Sequence, residues 1–119
     1  MKIGIIGSRK RTDKQAVYDL VKMFSQNDIV VSGGCVGPDT WAEEAARSAE
    51  LDVLIFLPAL PHKGSPRHEF TKAFYARNRL IAENSDILYA FVSPDRKGGT
   101  EHTIKHAEKL GKKVFIIQP

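Results

Sequence analysis

Three breaks in this sequence combine glycine with short polar residues: "GSRK" from Gly7, "SGGCVGPD" from Ser32 and "SPDRKGGT" from Ser93. Each follows a short apolar run and leads into a helical pattern. Glycines let backbone amides come close to an anion, and a helix beginning there adds the positive end of its dipole. The chemistry these breaks suit is phosphate binding. Gly7, Ser8 and Arg9 supply it in the first break, Gly33, Gly34 and Gly37 in the second, and Gly98, Gly99 and Thr100 in the third. Neither G-x-G-x-x-G nor G-x-x-x-x-G-K-[ST] occurs, which argues against a standard dinucleotide dehydrogenase and a P-loop ATPase.

Asp39 lies in the first turn of a helix opened by Pro38. An acid there is favoured by the dipole, and it could equally accept hydrogen bonds from ribose hydroxyls. Arg77 interrupts an apolar stripe, since residues 70, 77 and 81 project within about a fifth of a turn of one direction. A guanidinium among Phe70 and Ile81 needs a partner, either a neighbouring carboxylate or a ligand phosphate held bidentately. Other residues carry blander expectations. Cys35 sits in a loop without a readable histidine partner. His102 and His106 are four apart but lack the glutamate of H-E-x-x-H and a third ligand, so no metal or cofactor is expected. Arg9, Lys10, Arg11 and Lys14 read as solvated charge, with only Arg9 placed to help attract a phosphate. Trp41 continues an alanine face and reads as core.

Apolar runs at 3–6, 29–31, 53–57, 87–92 and 114–117 read as strands, and the segments between them carry helical periodicity. Val17, Leu20, Val21 and Phe24 mark one helix, and Trp41, Ala42, Ala45, Ala46 and Ala49 a second. A third runs from about 67 to 84, with a break allowed, and the segment from Gly99 supplies the last. Nearly continuous apolar strands separated by helices imply a parallel sheet covered on both faces. The expectation is α/β: a single doubly wound domain over 1–119 with a five-stranded, mostly parallel sheet. In such sheets the ligand crevice lies at the carboxyl ends of the strands, so the three breaks should converge on one edge.

Four stretches, "GSRKRT", "VSGGCVGPDTWAEEAA", "ARNRLIAENSDILYAFVS" and "KGGTEHTIKHAEKLGKKVFII", together resemble the SLOG superfamily. That group includes the Lonely Guy phosphoribohydrolases and the Rossmann-like domain of DNA-processing protein A. The likeness is greatest to small stand-alone YspA-like members and covers essentially the whole chain. It implies a Rossmann-like nucleotide-binding domain, often a homodimer or higher homo-oligomer. It also adds Asn78 to the site, through the R-N motif, and favours a ligand as the partner of Arg77. The phosphoribohydrolases carry P-G-G-x-G-T-x-x-E. Here Gly99 and Thr100 match the G-T pair, while Thr103 stands at the acidic position, and Glu101 would have to replace that acid.

With 119 residues, 42% hydrophobic and 27% charged, the chain is composed like a soluble globular domain. Its longest apolar run, "LDVLIFLPAL", is too short to span a bilayer, and its start does not read as a signal peptide. A single cysteine fits a reducing cytoplasm. The net charge of +4 suits an anionic ligand without arguing for nucleic acid. The leading expectation is a module that senses or sequesters a nucleotide-type small molecule. An N-glycosidic hydrolase of nucleotides and a DNA-binding protein are the alternatives.

Overall fold

The computed structural model describes residues 1–119. The strands are β1 (Lys2–Gly7), β2 (Ile29–Ser32), β3 (Asp52–Ile55), β4 (Ile87–Phe91) and β5 (Lys113–Ile117). Between them lie α1 (Lys14–Lys22), α2 (Pro38–Ser48), α3 (Arg67–Asn84) and α4 (Gly99–Lys109). All neighbouring strands pair in parallel, in the order β3-β2-β1-β4-β5. The helix over 67–84 is continuous, without the break that the sequence allowed.

Two-residue periodicity divides the sheet's side chains between two cores. Ile5, Val30 and Phe91 point to the face covered by α1 and α2, where they meet Val17, Val21 and the alanines of α2. Ile6, Val31, Ala90 and Val92 point to the other face, against Ile81 and Ala82 of α3 and Ile104 and Ala107 of α4. Ile5 and Phe91 are essentially inaccessible, and burying such side chains stabilises the fold by about 1.5–3 kcal/mol each. Alternate apolar residues thus have somewhere to go on either side, which explains why the central strands read as unbroken apolar runs.

Positive φ angles at two glycines start the helices that flank the candidate site. Gly37 (φ 102°) precedes Pro38 at the first position of α2, and Gly98 (φ 109°) precedes α4. Both conformations lie in the region that L side chains rarely adopt. Gly7 has a different reason. A Cβ there would sit 2.4 Å from Pro38 Cγ, so the end of β1 and the start of α2 can approach only because the side chain is absent.

Candidate functional site

Strands β1 and β4 are neighbours, yet their connections leave in opposite directions, β1 into α1 on one face and β4 into α4 on the other. This is the switch point at which an open α/β sheet leaves a crevice. A cleft of about 700 Å³ occupies it. Ile6, Gly7 and Ile81 line its interior. The β1 loop contributes Ser8, Arg9 and Lys10, and the β4 loop with the start of α4 contributes Lys97, Gly98, Gly99, Thr100 and Thr103. From α3 come Thr71, Phe74, Tyr75, Arg77 and Asn78, and from the β2 loop and α2 come Cys35 and Asp39.

Gly99 and Thr100 open α4, so their N–H groups lie too early in the helix to reach an intrahelical acceptor. They are donors at the positive end of an 11-residue helix, and the exposed cations Arg9 and Lys97 line the same cleft. The β1 loop, by contrast, is pinned. Ser8 N–H donates to Phe91 O at 3.0 Å, and Lys10 N–H to Ser8 Oγ at 3.1 Å. Lys10 Nζ lies 2.7 Å from Asp95 Oδ2, tying this loop to the one after β4. That ammonium, and then the Ser93 hydroxyl, hold the Asp95 carboxyl down at about 2.

The β2 loop folds back on itself. Gly33 N–H donates to Asp39 Oδ2 at 3.2 Å, and Gly34 N–H to Ser32 Oγ at 3.2 Å. A Cβ on Gly33 would stand 2.8 Å from Arg77 Nη1 and 2.9 Å from Asp39 Oδ2. Gly33, Gly34 and Gly37 therefore shape the loop without lining the cleft. The loop presents Cys35 and Asp39 instead. Asp39 is 4% exposed. Burial pushes its carboxyl up to about 6, although the Arg77 guanidinium and the Gly33 N–H pull the other way.

Arg77 is buried in the cleft wall with every nitrogen engaged. Nη1 donates to Gly33 O at 2.5 Å, Nε to Asn78 Oδ1 at 3.0 Å and Nη2 to Cys35 Sγ at 3.3 Å. Its guanidinium carbon lies 5.7 Å from the Phe74 ring centroid. Asn78 in turn donates to Gly99 O at 3.4 Å, joining α3 to the first turn of α4. Glu101 turns away: its carboxylate receives both Arg96 Nε and Nη2 at 2.8 Å, and it does not line the cleft.

No protein-family model matches the chain, and no curated protein matches it. Among solved structures, it is similar to the X-ray structure of DNA processing protein A from Streptococcus pneumoniae, with a TM-score of 0.80 at 20% identity. The match covers 97% of this chain and 49% of that one, so the chain spans about half the length of this neighbour. The fold is Rossmann-like.

Within this Rossmann-like frame, the expected residues divide into two groups. Gly7, Ser8, Arg9, Asp39, Arg77, Asn78, Gly98, Gly99 and Thr100 meet at the cleft; Gly33, Gly34, Gly37 and Glu101 do not line it. Sequence reasoning passed over Thr71, Phe74 and Tyr75. Together with Asn78 they follow the 3–4 spacing of one helix face, a signal present in the sequence but hidden by its mixed polarity. Arg11 differs most from expectation. Read as solvated, it is 5% exposed, and Nη1 donates to Val92 O at 3.1 Å and Ile117 O at 2.7 Å, with Asp13 beside it. It closes the carbonyl ends of β4 and β5. No helix of the chain is long and apolar enough to cross a membrane.

Proposed function

We propose that this chain binds a nucleotide or nucleotide-derived molecule, sensing or sequestering it as a small stand-alone YspA-like member of the SLOG superfamily. The observation that carries the reading is the cleft at the β1–β4 switch point, whose lining includes the first residues of α4 together with Arg9 and Lys97. A phosphate fits donors and cations in that arrangement. The remaining volume, bounded by Phe74, Tyr75 and Ile81, suits a nucleoside. The neighbour's description as a DNA processing protein is compatible with a nucleotide-type ligand.

Thermal denaturation against nucleoside mono- and diphosphates and dinucleotides tests the proposal. A ligand that binds only the folded state at a hundredfold excess over Kd adds roughly 2.7 kcal/mol. In a chain of this size the melting temperature should rise by roughly 10 °C. A flat response across the panel at millimolar concentration would sink the binding reading.

A second reading, hydrolysis of the N-glycosidic bond, draws on Asp39, a cleft carboxyl that burial raises to about 6. Such a group suits general acid–base work, whereas Glu101 is paired to Arg96 outside the lining. We expect little or no free base from nucleoside monophosphates after overnight incubation. Clear turnover, abolished in Asp39→Asn and retained in Glu101→Gln, would promote the hydrolase and identify its acid.

A further inference from the structure

Next to the cleft lies a shallow, largely open hollow lined by Arg67, His68, Thr71, Lys72 and Tyr75. Thr71 and Tyr75 line both cavities. The two adjoin at these residues, with the Tyr75 ring between them, and together form a groove. Two observations make that ring a platform. His102 stacks on one face, with centroids 3.8 Å apart and planes at 7°, yet Tyr75 remains 41% exposed. Its orientation is thus fixed on one face, while the residue stays accessible and lines both hollows. His102 is itself held against α3 by the Asn78 amide at 3.4 Å.

Beyond the ring the charge is positive. Arg67 and Lys72 are exposed, and neither forms an ion pair. His68 is different, since its Nε2 faces Glu69 Oε1 at 3.3 Å. The groove therefore runs from anion donors at the start of α4, across an aromatic face, to a pair of unpartnered cations. A stacked base is held well by such a ring because every base offers a π-face, and free guanidinium and ammonium groups suit a phosphate.

Resting on the nucleotide-binding reading above, we propose that the groove holds a short linear nucleotide with two separated phosphates, one at Gly99–Thr100 and one between Arg67 and Lys72, with a base stacked on Tyr75 between them. A mononucleotide would fill only the cleft. The hollow would then set how long a ligand the protein selects, and Tyr75 would act as a specificity-determining residue.

Titration calorimetry should compare adenosine monophosphate, a linear adenine dinucleotide phosphorylated at both ends, and a single strand of about a dozen nucleotides. The doubly phosphorylated dinucleotide should bind at least about tenfold more tightly than the mononucleotide. Arg67→Ala/Lys72→Ala should erase that advantage and leave mononucleotide affinity unchanged. Both positions are exposed, so the variant should fold. Tyr75→Leu should weaken the dinucleotide more than the mononucleotide. Equal affinity for the two short ligands would overturn the extension while leaving the nucleotide-binding reading intact. Binding of neither would remove both. A longer strand binding at least about tenfold more tightly than the dinucleotide would overturn the two-phosphate limit and make the groove part of a single-strand track.

Discussion

Arg77→Ala should lower the stability of the unliganded protein by about 3–5 kcal/mol, because three hydrogen bonds from a buried charged group, at about 1.5–3 kcal/mol each and not fully additive, are lost together. For a chain of this length, that corresponds to a fall in melting temperature of roughly 12–20 °C. The guanidinium joins α3 to the β2 loop through Gly33 O, Asn78 and Cys35, and its charge lies close enough to Asp39 to oppose the effect of burial there. Alanine leaves the Gly33 carbonyl without its donor and Asp39 without its compensating cation. Arg77→Lys should recover little, because a single ammonium cannot reproduce a planar fork directed at three acceptors. Arg79→Ala is the control: Arg79 is exposed, and its loss should stay within about 0.5 kcal/mol. Arg77→Ala in an Asp39→Asn background should lose less than in the wild type, since no carboxylate remains to be orphaned. Thermal denaturation without ligand reads all of these. An unchanged melting temperature combined with a tenfold loss of nucleotide affinity would instead make Arg77 a ligand clamp.

The same residue shows where sequence reading reaches its limit. That Arg77 breaks an apolar stripe is legible from spacing alone, because helical geometry is local. What it meets is not, since Gly33 lies 44 residues away along the chain. The strands, the opening of α2 at Pro38 and the convergence of the loops near β1 and β4 follow from local patterns and the topology of parallel sheets. Distant partners decide the rest. Arg11 looks like one member of a basic run until β4 and β5 bring Val92 O and Ile117 O beside it. Glu101 looks free to serve the cleft until Arg96, at φ 52°, takes both of its oxygens. The glycines of the β2 loop look like phosphate donors, but Asp39 and Ser32 engage the Gly33 and Gly34 amides. Composition shows that a loop can bind an anion; it does not show which of its amides are already occupied.

Asp39 gives the second large effect, in the pH dependence of stability. Burial lifts its carboxyl from the ordinary 3.8 to about 6 in the folded protein. Between those values the unfolded chain has shed this proton and the folded chain has kept it. The group's stabilising contribution is therefore full below pH 3.8 and is lost as pH rises through about 6. At about 1.4 kcal/mol per tenfold, the loss is about 3 kcal/mol. His102 acts in the opposite sense. Burial, and then Arg79, hold its pKa below the ordinary 6.5, so its contribution is present above that value and lost on acidification. Urea denaturation of wild type and Asp39→Asn across this range separates them, because the His102 contribution cancels in the difference. Relative to the variant, wild type should lose about 3 kcal/mol from well below pH 3.8 to well above pH 6. Arg77 already limits the rise of the Asp39 pKa, so Arg77→Ala, if enough folded protein survives, should extend the loss to higher pH and enlarge its total. A difference curve that stays flat would mean that Asp39 keeps its ordinary value of 3.8 in the folded protein, Arg77 and the Gly33 N–H offsetting its burial. It would then lack the proton that a general acid needs near neutral pH, and the hydrolase reading would lose its candidate residue.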